Sequence, residues 1–192
     1  MYSNNFKIYS FIITPIAVAI IAVAFLLSYN LPNIQDLKTL AQQQTPAKSK
    51  EGLQVGNTAP DFNLIDPQKG GIIAKQTFNG KPLFIFFTTT YCTPCQIGAE
   101  NLGRYDDETG GSAFNVLIVF IDDRETDNQF IEWKQKYGRN DWFVAKGINM
   151  AQTYNVQYLD TKYVFDKNGI IKWIDIKPLE YSSIKPVLGP LL

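Results

Sequence analysis

The apolar run Leu83-Phe84-Ile85-Phe86-Phe87 is soon followed by Cys92-Thr93-Pro94-Cys95, which holds the only two cysteines of the 192-residue chain. Five consecutive large apolar residues fit a strand buried on both faces. Thr93 to about Asp107 then reads as a helix that stops before Gly110-Gly111, with Pro94 in the first turn, where its missing N–H costs little. A strand that hands over to a Cys-x-x-Cys helix start places two thiols at a helix N-terminus. The first amides there are unpaired donors and the dipole is positive, so both favour a thiolate on Cys92. That lowers its pKa below the free value of about 8.5. Cys95, one turn on and less exposed, is placed to resolve a mixed disulfide formed at Cys92.

Other uses of the pair fit less well. Two inert core thiols would need neither this spacing nor the strand and proline around it. A zinc site needs more ligands, and the chain has no histidine and no third cysteine. Covalent haem attachment needs a histidine after the second cysteine, where Gln96 stands. The site therefore calls for no cofactor and no metal. A bond between Cys92 and Cys95 closes a very small loop, so its use is chemical more than stabilising.

Around this centre the chain alternates strands and helices. Asp61 to Asp66 reads as a short strand with Ile72-Ile73 pairing back on it. Phe114 to Ile121 is a second buried strand. Thr126 or Asp127 caps a helix with Phe130, Trp133 and Tyr137 on one face, ending at Gly138. Trp142 to Val144 is a short strand and Met150 to Tyr154 a short helix. Lys162–Phe165 and Ile170–Ile174 flank the hairpin turn Asp166-Lys167-Asn168-Gly169. A last helix from Leu179 is interrupted by Pro186, Gly189 and Pro190. The order implies an α/β fold: a mixed β-sheet with helices on both faces.

The N-terminus has a different character. From Phe11 to Leu27 only Thr14 and Pro15 are non-hydrophobic, and no charge lies between Lys7 and Asp36. About 20 mostly apolar residues cross a bilayer core, and Tyr9 and Tyr29 sit where interfacial aromatics belong. Residues 8–29 are therefore expected to associate with the membrane as one transmembrane helix. A cleaved signal peptide would have a shorter apolar region with a small-x-small site beyond it, whereas Ala22-Val23-Ala24 lies inside this one. The expected layout is an anchor over 1–31, a polar linker over 32–54 and a folded domain over 55–192. Lysines fall on both sides of the span, so charge alone leaves its orientation open. Eighteen basic and eighteen acidic residues cancel, and no basic run marks a nucleic-acid surface. Nothing in the sequence sets an oligomeric state.

From Val55 to Ile174 the chain resembles the thioredoxin-like, membrane-anchored thiol–disulfide oxidoreductases of the TlpA/ResA kind, related to AhpC/TSA proteins. The resemblance is carried by Val55-Gly56-Asn57-Thr58-Ala59-Pro60-Asp61-Phe62, by Phe78-Asn79-Gly80-Lys81-Pro82, and by Thr90-Tyr91-Cys92-Thr93-Pro94-Cys95. Tyr154-Asn155-Val156 and Tyr163 to Gly169 complete it. It implies a thioredoxin-like fold, attack by Cys92, resolution by Cys95, and protein thiols or disulfides as partners. It also implies a cell-membrane location with the domain outside the cytoplasm, with reductant supply for cytochrome c maturation as one family role.

The chain departs from that family at four places. Tyr91 replaces the tryptophan before the first cysteine. Gly98 replaces an acid three residues after the second. Phe86 stands where thioredoxins proper carry a buried acid. Asp160, followed by Thr161, stands where a cis-proline faces the dithiol. A cis bond before a non-proline residue costs about 2.5–4 kcal/mol, so the Leu159–Asp160 bond is expected trans. An aspartate near Cys92 opposes thiolate formation, unless Asp160 points to solvent and merely caps its loop. Tyr91, Thr93, Pro94, Asp160 and Thr161 are thus the candidate supports of the dithiol. Three other functions compete. A peroxiredoxin is suggested by Thr89-Thr90-Tyr91-Cys92, although Ile85 stands at its upstream proline. A non-catalytic membrane-anchored adaptor would not need the thiols. A copper-binding assembly factor would need a histidine and a wider cysteine spacing.

Overall fold

A computed structural model describes residues 50–192. The apolar segment Phe11–Leu27 lies outside the described residues. Among the described residues no helix is long and apolar enough to cross a membrane.

A five-stranded mixed sheet organises the domain. Its strands are β3 (Leu83–Thr88), β4 (Asn115–Phe120), β5 (Phe143–Lys146), β6 (Thr161–Phe165) and β7 (Ile171–Asp175), in the order β5-β4-β3-β6-β7. β3, β4 and β5 run parallel, while β6 and β7 are antiparallel to their neighbours. A separate hairpin of β1 (Asn63–Ile65) and β2 (Ile72–Ala74) leads to a 3-10 turn at Lys75–Phe78. The helices are α1 (Thr93–Glu108), α2 (Asp127–Tyr137), α3 (Ile148–Thr153) and α4 (Tyr181–Leu188).

Handedness decides where the helices lie. The connections β3-α1-β4 and β4-α2-β5 step the same way across the sheet, and right-handed crossovers then put α1 and α2 on one face. The strand side chains divide accordingly. Phe84, Phe86, Val116, Ile118, Phe120 and Val164 pack with Cys95, Ala99 and Leu102 of α1, Phe130 and Trp133 of α2, and Ile184 and Leu188 of α4. Phe120 and Phe130 stack at 4.2 Å. On the other face Leu83, Ile85, Phe87, Leu117 and Tyr163 meet Leu64 and Ile73 of the hairpin, Phe78, and Met150 and Ala151 of α3. Helices do lie on both faces, but unequally: three on one, and α3 with the hairpin on the other.

Several boundaries follow from local chemistry. The Thr126 side chain accepts from the Gln129 amide and the Gln129 side chain returns to Thr126, a reciprocal cap that fixes the start of α2. Gly169, at φ +76°, supplies the left-handed residue of the β6–β7 turn. The C-terminal helix corrects the sequence expectation. α4 runs through Pro186 to Leu188 and gives way only at Gly189-Pro190. Pro186 removes one helical bond, the one the Ser182 carbonyl would accept, but burial of Ile184 and Leu188 against the sheet offsets it.

The first described residues lie along the β6–β7 hairpin. The Thr58 amide donates to the Lys50 carbonyl, and Asn57 and Ile171 exchange contacts through Gly56 N to Ile171 O (2.8 Å) and Ile171 N to Asn57 O (2.9 Å). In the antiparallel register Phe165 sits opposite Leu83 and Thr161 opposite Phe87. The hairpin is therefore at the amino end of β3. The loops after β3 and β4 and the loop before β6 gather at the opposite pole, beyond the carboxyl ends of the parallel strands, a recurrent place for sites in such sheets.

A candidate dithiol–disulfide active site

Cys92 is the N-cap of α1 and is joined to Cys95 in a disulfide, with Cα atoms 5.3 Å apart. The helix start is built by ordinary bonds: Cys92 N donates to Thr89 O, and Gln96 N donates to Cys92 O at 3.0 Å. Pro94 lies in the first turn, as the sequence predicts. The two sulfur-bearing residues are unequally placed. Cys95 is 0% exposed, while Cys92 keeps 9%. An incoming thiolate therefore reaches the disulfide at Cys92, next to the unpaired amides of the first turn.

Thr90, two residues before Cys92, is held from several directions. Its amide and hydroxyl both donate to Glu125 Oε1, each at 2.5 Å, and its carbonyl accepts from Gln96 Nε2 at 2.7 Å. Glu125 comes from the loop between β4 and α2 and is buried, with Oε2 unpartnered among the described residues. The same loop holds Tyr91. The Tyr91 hydroxyl donates to Asp122 Oδ2 at 2.8 Å, and Arg124 clamps Asp122 with Nε at 2.9 Å and Nη2 at 2.6 Å. Arg124, and then Tyr91, hold the Asp122 carboxyl well below the usual carboxylate range. Asp122 in turn pushes the Tyr91 phenol up. The Tyr91 ring stays largely exposed beside Cys92. A shallow groove bounded by Thr89, Tyr91, Ile121, Arg124, Ile148 and Leu159 runs past it.

The loop before β6 contributes Asp160 and Thr161. The Leu159–Asp160 bond is trans, since the described residues contain no cis peptide. Asp160 is buried, not turned to solvent, which overturns the reading of it as a mere loop cap. Its backbone takes the left-handed conformation at φ +67°, its amide donates to Phe87 O at 3.1 Å, and Oδ1 meets Lys162 Nζ at 2.6 Å. The charge expected to oppose the Cys92 thiolate therefore has a counter-charge. Thr161 is buried and donates to Tyr158 O at 2.7 Å, closing the same loop. Thr93 and Pro94 are exposed on the first turn.

Two of the departures have packing causes. A Cβ on Gly98 would lie 3.1 Å from Leu179 Cβ, with the Phe86 ring in contact at 3.4 Å, so Leu179 leaves little room for an acid there. Phe86, fully buried, makes that close floor. Sequence reasoning missed Glu125, Asp122, Arg124, Gln96 and Lys162. The signals available were the acidic loop Asp122-Asp123-Arg124-Glu125 after a buried strand and a lysine inside an apolar one. Among the described residues no group of three or more histidine, cysteine or acidic residues could hold a metal.

The model of the AhpC/TSA family matches residues 55–174. The thioredoxin-like protein YneN of Bacillus subtilis is 28% identical over 149 residues, covering 76% of this chain and 85% of that one. The thiol-disulfide oxidoreductase ResA of Bacillus anthracis is 30% identical over 125 residues, covering 62% of this chain and 68% of that one. Among solved structures, a thioredoxin-like protein from Aeropyrum pernix superposes with a TM-score of 0.60 at 16% identity, over 68% of this chain and 89% of that one. That likeness shows the fold: thioredoxin-like, with its mixed sheet and helices.

Proposed function

The chain belongs to the AhpC/TSA family as a thiol–disulfide oxidoreductase of the TlpA/ResA kind, and from that premise we propose that Cys92 and Cys95 exchange a dithiol and a disulfide with protein substrates outside the cytoplasm. The observation that carries the reading is the asymmetric disulfide at the start of α1, with Cys92 slightly exposed and Cys95 fully enclosed. In the reducing direction the Cys92 thiolate attacks a substrate disulfide. A mixed disulfide forms and one substrate thiolate leaves. The Cys95 thiolate then attacks Cys92 Sγ, the intramolecular disulfide closes, and the second substrate thiolate leaves. Two electrons pass to the substrate and two thiols are consumed on the enzyme. Reversing each step oxidises a substrate dithiol instead.

The groove beside Tyr91 and Leu159 offers an extended substrate segment a place to lie while its sulfur meets Cys92. Residues 8–29 serve as a single-pass anchor in the cell membrane, and the polar stretch from residue 32 serves as a tether that ends where Lys50 pairs with Thr58. Supply of reductant for cytochrome c maturation is one role that the family resemblance implies for such a pair. The i, i+3 disulfide favours exchange over peroxide chemistry, which the purified reduced protein tests by failing to consume peroxide.

The direct test is Cys95→Ser, which stops the reaction at the mixed disulfide. Substrate proteins should accumulate on Cys92 in cells, released by reductant, and Cys92→Ser should capture none. Equal activity of Cys92→Ser and wild type would sink the enzymatic reading and leave an adaptor. Protease added to cells with a permeabilised outer envelope should digest the chain beyond Leu31; full protection would overturn the topology.

A further inference from the structure

Lys162 is fully buried in the middle of the sheet, an expensive place for an ammonium unless it is paired. Its Nζ donates to Asp160 Oδ1 at 2.6 Å, to the Asp160 carbonyl and to Lys177 O at 2.6 Å. Lys162 shares a sheet face with Val164, and its register partner on β3 is Phe86. Nζ lies 5.3 Å from the centroid of the Phe86 ring. The same ring closes on Gly98, one turn after Cys95. One aromatic ring thus separates this cation from the active-site helix.

Asp160 lies on the same side. Its amide bonds Phe87 O, so the Leu159–Asp160 segment runs beside Thr88 and Thr89, and Thr89 O accepts from Cys92 N. Leu159 and Tyr91 line one groove. Asp160 Oδ2 has no partner among the described residues.

We propose that Asp160 and Lys162 are a matched pair of positioning residues behind the Phe86 ring that backs the active-site helix: Lys162 locks the proline-free loop against β3, and each charge cancels the other's pull on Cys92. This rests on Cys92 being the exchanging sulfur. The pair does with an ion bridge what a rigid ring would do for loop shape, and it keeps the loop's buried carboxylate from suppressing the thiolate. Burial pushes Asp160 up and Lys162 down, and the bond between them favours the charged form of each. The other charges around the site are Asp175, opposite Lys162 on β7, and Glu125, Asp122 and Arg124 from the loop after β4. The first turn of α1 carries no acid.

A neutral pair makes an unusual demand on its variants. Removing either member loosens the loop, but the two removals expose opposite charges. In the full chain carrying Cys95→Ser, the Cys92 titration is read from ultraviolet thiolate absorbance and from the pH dependence of iodoacetamide alkylation. Asp160→Asn should move it down and Lys162→Met should move it up, each by about half a pH unit to one unit. The double variant should return near the starting value. Shifts in the same direction, or no shift in either, would overturn the proposal and leave a purely structural pair. Should Lys162→Met not fold, Asp160→Asn still decides: an unchanged or raised titration refutes it. If these shifts appear while no protein substrate is trapped on Cys92, the proposed function fails and the electrostatic pair stands.

Discussion

Glu125 offers the sharpest test of how the active-site loop is held. Its Oε1 accepts from both the amide and the hydroxyl of Thr90, at 2.5 Å each, and the carboxylate is 5% exposed. A hydrogen bond to a charged group contributes about 1.5–3 kcal/mol, against about 1 for a neutral pair. Glu125→Ala removes the acceptor of both bonds and strands a Thr90 amide, so it should cost about 3 kcal/mol, taking the low end for each bond. For a domain of this size that lowers Tm by about 6–12 °C. Glu125→Gln keeps an oxygen for Thr90 but loses the charge, and should cost about half as much. Chemical denaturation of oxidised protein measures both values. Disulfide exchange with a model protein substrate should slow in the same order, because Thr90 is two residues from Cys92. If Glu125→Ala unfolds within about 0.5 kcal/mol of wild type, or Glu125→Gln is as damaged as Glu125→Ala, then the carboxylate does not secure the loop.

Asp106 gives a pH signature of its own sign. Its carboxyl is fully buried, with one oxygen accepting from Trp142 Nε1 at 2.8 Å and the other unpartnered among the described residues, and burial pushes its pKa up. Between the ordinary carboxylate range and that raised value, the folded state holds a proton that the unfolded state has released. Its contribution to stability therefore grows as pH falls through this window and is lost as pH rises. Asp106→Asn should be more stable than wild type at neutral pH, by about 1 kcal/mol, with the advantage shrinking on acidification; an advantage that widens in acid would refute the assignment. Gly147→Ala would place a Cβ 2.3 Å from Val119 Cγ1 in β4, and should cost about 3 kcal/mol by denaturation. Adding Val119→Ala should recover part of that loss, and strict additivity of the two would argue against the clash.

The parts of this molecule that could be read from sequence are those where one local signal suffices. β3 and β4 are continuous apolar runs because both faces are covered, and a run of that kind has few alternatives. Asp166 to Gly169 carries its own turn chemistry, and Cys92 to Cys95 carries its own helix start. The unreadable parts depend on partners far along the chain. Glu125 looks like one more acid in a polar loop until Thr90 arrives from 35 residues away. Lys162 reads as the exposed edge of a strand, and only its bonds to Asp160 and to the Lys177 carbonyl make its burial tolerable. Gly98 looks like an omission until Leu179 and Phe86 are seen to occupy the space. Pro186 argues against a helix locally, and tertiary burial wins.

The opening segment has a consequence for handling and for encounter. Gly56 to Thr58 pair with the β6–β7 hairpin, at the amino end of β3, while Cys92 lies past its carboxyl end. Six residues of β3 separate these poles, about 20 Å at strand rise. The preceding chain therefore enters the domain at the pole opposite the reactive end. A bulky substrate approaching Cys92 need not pass the point where the preceding chain joins. Immobilising the protein through its N-terminus should leave its exchange rate unchanged, whereas a label of similar bulk on Tyr158, which is 64% exposed in the loop before β6, would stand in the way.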